Sequence, residues 1–267
     1  MSRYGADVDE NLRNLKKAAK AAKANKTWPD GLDFDTVPLI RDKFYEIMVK
    51  PTGFAASYFE EHKAKETHRV LSGRPGFPAA PAILDFGCGF GNVDPYLRKY
   101  YPDSPICAVD VSGESVRIAK ERNGAYNISY AVIDAHGGDF PFDIKFDLVL
   151  VCNVFHHVAR EEQLQVFSRI RALLKPGGLL AVHEMNPYNP AIQFVFRKYD
   201  INVDPVANML HPHHMRSQMA KAGFSASKPC YEIFFPGFLS ALLPLEKHMT
   251  WLPFGARYYV IAENPAA

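Results

Sequence analysis

The sequence predicts an α/β chain built on a mostly parallel sheet with helices on both faces. Three observations carry that prediction. Strand-like apolar runs alternate with helix-like segments from residue 82 onward, a glycine-rich turn follows the first run directly, and an aspartate stands at or beside the end of each of the first three runs. Repeated strand–helix alternation needs crossover connections, which are right-handed and lay helices on the two faces of a parallel sheet.

Taken in order, the strand-like runs are 82–86 (AILDF), 105–110 (PICAVD), 128–133 (ISYAVI), 146–152 (FDLVLVC) and 179–184 (LLAVHE), with helix-like segments at 92–100, 113–123 and 160–174. A helix near 212–222 precedes two aromatic strand candidates, 229–235 (PCYEIFF) and 257–262 (RYYVIA), which brings the expected strands to seven. Upstream, residues 7–25 read as a helix with acids at its start and lysines toward its end, the charge order that complements a helix dipole. Its apolar stripe is narrow and mostly alanine, which fits docking on protein better than lying on a membrane. Further helical stretches at 38–49 and 53–71 lead to a proline-rich linker, RPGFPAAP (74–81), where a boundary is expected. The chain thus divides into an N-terminal helical region, 1–80, and an α/β domain, 81–267, interrupted by a covering segment at 186–210.

Composition narrows the function. With 31 Lys plus Arg against 29 Asp plus Glu among 267 residues, the near-neutral balance argues against general electrostatic binding of nucleic acid. A hydrophobic share of 48% excludes an intrinsically disordered chain. No apolar run reaches the ~20 residues that a membrane span requires, and the start lacks a signal-like stretch. The four cysteines have neither metal-like nor disulfide-dense spacing, so a cytoplasmic protein with reduced thiols is expected.

Directly after the first run stands Asp85-Phe86-Gly87-Cys88-Gly89-Phe90-Gly91-Asn92. Glycines here let the backbone turn tightly and approach a ligand, exposing amides at the start of the next helix. Dinucleotide folds use a related G-x-G-x-x-G turn, so the loop alone is a weak signal. An acid two residues before the first glycine repels a pyrophosphate but attracts an ammonium. Asp110, 19 residues after Gly91, is spaced to accept both hydroxyls of a ribose, which identifies adenosine without distinguishing one adenosine cofactor from another. Asp134, at the edge beyond the third run, can accept from an adenine amino group while the Ala135 amide donates to the ring; a turn or cap role is the alternative for Asp134.

The stretches ILDFGCGFG (83–91), AVDVS (108–112), VIDAHGGDFPF (132–142), FDLVLVCNVFHHV (146–158) and LLKPGGLLAVHE (173–184) together resemble the class I S-adenosylmethionine-dependent methyltransferases. They occur in the family's order and spacing and cover residues 82–184. The resemblance implies a Rossmann-like seven-stranded sheet and S-adenosylmethionine as cofactor, released as S-adenosylhomocysteine. It assigns Asp85, Gly87, Gly89 and Gly91 to the methionine portion, Asp110 to the ribose, Val111 to the adenine face, Asp134 and Ala135 to the adenine edge, and Asn153 to the methionyl end. Lys175-Pro176-Gly177-Gly178 matches the family's turn into the fifth strand.

Methyl transfer from a sulfonium requires chiefly that the acceptor be held close to the methyl and water be excluded. A general base is needed only for a weakly acidic nucleophile. Candidates at the strand ends are His157, for which orienting and acceptor contact both stay open, and Glu184; His156 is less favoured, and His183 alternates to the opposite face. Tyr188 lies in Met185-Asn186-Pro187-Tyr188-Asn189-Pro190, which lacks one proline of the N/D-P-P-Y signature of nucleic-acid amino-methyltransferases and follows the fifth strand rather than the fourth. His211-Pro212-His213-His214 clusters three histidines without a second half to complete a zinc site, so no metal is expected. Expected acceptors are O or N nucleophiles on a metabolite. A lipid, prenyl or quinone-like acceptor methylated at carbon, and a non-transferring module that only binds the cofactor, are the alternatives. The aromatics Phe194, Phe196, Phe234, Phe235, Phe238 and Trp251 favour an acceptor that is ring-bearing or partly apolar. A homodimer is a further expectation.

Overall fold

The computed structural model describes residues 49–135, 137–199 and 209–266. The helix expected over 7–25, nearly all of that over 38–49, and positions 200–208 of the covering segment lie outside the described residues.

Among the described residues eight strands form one sheet: β1 (Ile83–Phe86), β2 (Ile106–Asp110), β3 (Ser129–Val132), β4 (Phe146–Cys152), β5 (Leu174–Met185), β6 (Ser225–Ala226), β7 (Cys230–Glu232) and β8 (Arg257–Glu263). Their order is β3-β2-β1-β4-β5-β8-β6, with β7 also pairing β8. The first five are parallel, and β8 runs antiparallel to β5, β6 and β7. The α-helices of the described residues are α1 (Ala56–Leu71), α2 (Asp94–Tyr100), α3 (Gly113–Asn123), α4 (Gln163–Leu173), α5 (Pro190–Tyr199) and α6 (Pro212–Lys221).

The expected sheet is present, with its last edge position divided into β6 and β7, and the reason is local. The edge strand beside β8 is broken in two around Ser227-Lys228-Pro229. Pro229 has no N–H to donate to a ladder, and the Ser227 hydroxyl replaces a backbone partner by accepting from Ile261 N at 3.2 Å. The run expected over 229–235 ends at Glu232 because Ile233 takes a left-handed φ of 63°. β5 starts earlier than the expected 179, since Leu174 pairs Phe146 before the register shifts to Leu148 and Leu179. Gly178 fits that shift, as a Cβ there would lie 2.9 Å from Lys175 O and 3.0 Å from Phe146 O.

β1 is buried along its whole length, as a central parallel strand must be. One face packs Leu84, Val149, Val151, Leu180, Val182 and Val260 against Phe167 and Ile170 of α4 and Met215 and Met219 of α6. The other packs Ile83, Leu148, Leu150, Ala181 and Ile261 against Ala64 and Leu71 of α1 and Leu97 of α2. α3 covers the same side over Ala108. Each fully buried Leu, Ile or Phe side chain contributes roughly 1.5–3 kcal/mol. The parallel strands therefore present their C-terminal ends along one edge.

Candidate active site

Gly87, Gly89 and Gly91 hold φ angles of 81°, 54° and 68°, the left-handed region that glycine enters without strain. Space forbids a side chain at two of them. A Cβ on Gly87 would lie 2.4 Å from Val154 Cγ2, and one on Gly91 2.3 Å from Asn123 Nδ2. Gly87 N and Cys88 N both donate to Val109 O, which pins the turn to β2. Gly89 N donates to Asp110 Oδ2 at 2.8 Å and Ser112 N to Asp110 Oδ1 at 2.9 Å. Each Asp110 oxygen thus keeps a lone pair beyond its backbone bond.

Three buried acceptors flank the turn without a donor in the protein, Asp85 Oδ1, Asp94 Oδ1 and Asn153 Oδ1. Asp85 is 2% exposed. Burial first, then the charge of Asp94, pushes its carboxyl well above the usual range, while Lys63 pulls it down. Asp94, at the start of α2, is buried too and is raised by that burial to about 6. Tyr130 donates to Asp94 Oδ2 at 2.6 Å, and Asn123 Nδ2 donates to Gly91 O at 2.8 Å, so a polar network underlies the turn. Asn153 itself is left-handed, at φ 56°. Buried acceptors want donors, and the amino group of S-adenosylmethionine is one; the glycine cradle leaves room for backbone approach. The residues fit the cofactor that the resemblance implies.

The sheet order brings the remaining predicted cofactor residues to the same edge. Val111 follows β2 and is exposed, and Asp134 and Ala135 follow β3 and are exposed. Arg169 of α4 donates to Asp134 O at 2.5 Å, tying that loop to the opposite helix layer.

At the β4–β5 end, Cys152 pairs with His183 in the ladder. Glu184, next along β5, is 1% exposed and accepts from Phe155 N at 2.9 Å through Oε1, with His156 Nδ1 at 2.8 Å from Oε2. The His157 ring lies 4.0 Å from that of His156. His183 faces the other way, fully buried, with Nε2 at 2.9 Å from Thr67 Oγ1 of α1. Burial lowers the pKa of His183, opposed by its Glu232 neighbour. Tyr188 OH lies 3.2 Å from His213 Nδ1, and its ring stands 5.3 Å from that of His211. His214 Nε2 sits 3.0 Å from Gln163 Oε1. Among the described residues no cluster of three His, Cys, Asp or Glu side chains has the arrangement of a metal site.

Sequence reasoning missed two features. One is Asp94, whose only local signal is its place after the glycine turn. The other is a buried charged group beneath α1, in which Arg257 Nη2 donates to Glu232 Oε1 at 2.8 Å and Arg257 Nη1 donates to Phe59 O at 3.0 Å. His62 Nδ1 approaches Glu232 Oε2 at 3.3 Å. Burial opposes ionisation of Glu232, but Arg257 and His62 outweigh it and hold the carboxyl well below its usual range. A single charge inside each aromatic strand was the available signal.

Comparison with known proteins adds to this geometry. Residues 83–178 match a family model described as a methyltransferase domain. The chain is 33% identical over 116 residues to N-demethylindolmycin N-methyltransferase of Streptomyces griseus, covering 43% of this chain and 48% of that protein. It is 27% identical over 135 residues to a ubiquinone/menaquinone biosynthesis C-methyltransferase of Desulfotalea psychrophila, covering 48% of this chain and 53% of that protein. Its fold is similar to an O-methyltransferase family protein from Burkholderia thailandensis, with a TM-score of 0.64 at 14% identity over 96% of this chain and 71% of that one. The chain spans about half the length of these two curated relatives.

Proposed function

Residues 83–178 are a class I S-adenosylmethionine-dependent methyltransferase domain, and on that premise we propose that the chain transfers the methyl group to an O or N nucleophile of a small metabolite. The observation that carries the reading is the cradle itself. Three left-handed glycines, a carboxylate held by two backbone amides and the buried acceptors of Asp85, Asp94 and Asn153 stand together at the ends of β1, β2 and β4. When bound, S-adenosylmethionine supplies an electrophilic methyl on a sulfonium, with a neutral thioether as leaving group.

The chain's residues then bind, orient and exclude water. Asp85 and Asn153 take the amino end, Gly87, Gly89 and Gly91 admit the methionine portion against the backbone, and Asp110 accepts the ribose hydroxyls. Val111 covers one adenine face, while Asp134 and the Ala135 amide read its edge. On the acceptor side, His157 and Tyr188 line the approach, and the acceptor determinants fall to residues 1–80, 186–210 and 233–255. Carbon methylation of a lipid, prenyl or quinone-like acceptor is the second reading. It is supported by exposed aromatic side chains, Phe238 at 77%, Trp251 at 72% and Phe194 at 62%, and by similarity to a protein named as a C-methyltransferase.

Calorimetry with S-adenosylhomocysteine tests the first half of the proposal. Wild type binds, and Asp110→Ala loses about 2–3 kcal/mol, the cost of two hydrogen bonds to a charged acceptor. Absence of binding by wild type refutes the reading. Transfer from methyl-labelled S-adenosylmethionine into metabolite extracts tests the second half: label in a water-soluble amine or ether supports it, and label confined to the organic phase favours the carbon-methylation reading.

A further inference from the structure

Tyr188, His211 and His213 come together where the segment after β5 meets the start of α6. Tyr188 OH lies 3.2 Å from His213 Nδ1, and the His211 ring stands 5.3 Å from that of Tyr188 and 5.4 Å from that of His213. His211 is the N-cap of α6 but makes no side-chain bond to the first turn. Its Nδ1 is buried and has no hydrogen-bond partner among the described residues.

The charges around these rings share one sign. Burial first, then His213 and Arg160, lower the pKa of His211. Burial first, then Arg160, His213, Lys221 and His211, lower that of His214. No acid stands in the first turn of α6, and the positive end of that helix dipole adds to the same field. Arg160 is exposed and makes no hydrogen bond or ion pair among the described residues. Cationic groups gathered without a counterion repel one another, and an arriving anion relieves that repulsion.

The cluster adjoins the cofactor cradle. His214 Nε2 sits 3.0 Å from Gln163 Oε1, and the Gln163 amide donates to Phe155 O at 3.2 Å and Val158 O at 3.1 Å. That holds α6 to the turn after β4, at whose start Val154 stands over Gly87. Tyr258 OH donates to Leu210 O at 2.6 Å, which ties the residue before His211 to the strand position paired with Glu184.

On the methyltransferase reading, which it deepens, we propose that Arg160, His211, His213 and the Tyr188 hydroxyl bind an anionic group of the acceptor, a carboxylate or a phosphate. The acceptor is then an acidic metabolite. Arg160 offers the planar fork of donors that such oxygens match, and the imidazoles and the hydroxyl donate single bonds. Held at that end, the acceptor keeps its reacting atom oriented toward the cradle.

Fractionated extracts test this. A metabolite extract is split on an anion exchanger before reaction with the full chain and methyl-labelled S-adenosylmethionine. Label should enter the anion pool, and phosphatase treatment tells phosphate esters from carboxylates. Arg160→Gln and His213→Gln should each raise KM for the labelled acceptor about 10- to 100-fold, the worth of one hydrogen bond to a charged group, with the Kd for S-adenosylhomocysteine changed less than about twofold. Label confined to the unretained pool overturns the proposal, as does KM within about threefold of wild type in both variants. Binding is read separately in imidazole nitrogen spectra of the full chain with S-adenosylhomocysteine. Inorganic phosphate or succinate should shift the His211 and His213 signals more than chloride at matched ionic strength, and Arg160→Gln should abolish the excess. Shifts equal to those with chloride overturn the proposal too. Failure of wild type to bind S-adenosylhomocysteine instead refutes the methyltransferase reading, so the two failures are distinguishable.

Discussion

The two halves of the strand edge are built by different means. Along β1, β2 and β3 the site is mostly backbone: left-handed glycines, amides bonded to Asp110, and orphaned oxygens close to the turn. Along β4, β5 and β8 it is made of side chains drawn from remote segments, with Glu184 meeting His156, Tyr188 meeting His213, and Arg257 meeting Glu232. Backbone conformation is dictated by residues a few positions apart. Side-chain pairs depend on which strands happen to be neighbours, so the second half is the more adaptable one.

Breaking the side-chain half at its deepest point should have the largest effect. Arg257→Ala strands Glu232 as an uncompensated buried charge and should cost about 3–5 kcal/mol of stability in urea unfolding. A loss below about 1 kcal/mol shows that water or His62 already compensates that carboxylate. In the backbone half, Gly91→Ala forces a Cβ within 2.3 Å of Asn123 and 2.8 Å of Asp94 at a φ of 68°. The strain of roughly 1–2 kcal/mol adds to overpacking of roughly 1–3 kcal/mol. Cofactor affinity in calorimetry should fall with stability, because the turn itself must move. An alanine variant with unchanged affinity breaks the claim that backbone geometry defines this half.

A pH profile sharpens the comparison. Asp94 is raised to about 6 by burial, so between its unfolded and folded values the native state holds more protons than the unfolded state. Stability from this group is full below about pH 4 and declines as pH rises toward 6. Asp94→Asn should remove that decline, gaining roughly 1–3 kcal/mol on wild type between pH 4 and 7 by thermal or urea unfolding. Glu232 works in the opposite sense: its depressed carboxyl contributes stability above the ordinary carboxylate range that is lost as pH falls. The backbone half therefore weakens toward neutrality and the side-chain half toward acid. The smallest effect belongs to Tyr188→Phe, which removes one exposed hydroxyl contact to His213 at 3.2 Å and should alter stability by less than about 1 kcal/mol.

The regularity of the first half is what made it legible. Fully buried parallel strands read as unbroken apolar runs, and the Asp85–Asn92 turn can be taken only by glycine at its left-handed positions. Beyond β5 the local code weakens. The segment Gly237–His248 is a 3-10 helix kinked at Leu239 with Pro244 inside it, which no apolar periodicity marks. The edge strand is split by a proline whose effect depends on the partner β8. Glu232 and Arg257 are charges in aromatic strands, and their burial against α1 is invisible until the strands are in place.

The sequence by itself determined the alternation, the glycine turn and the carboxylates at the ends of β1, β2 and β3, because each depends on neighbours a few residues away. The tertiary structure decided the rest. Strand order placed Glu184 over the turn after β4, turned His183 to the opposite face under α1 and set Arg257 against Glu232, because these contacts join residues 28, 116 and 25 positions apart. Only packing of the completed sheet brings groups so far apart along the chain within reach of one another.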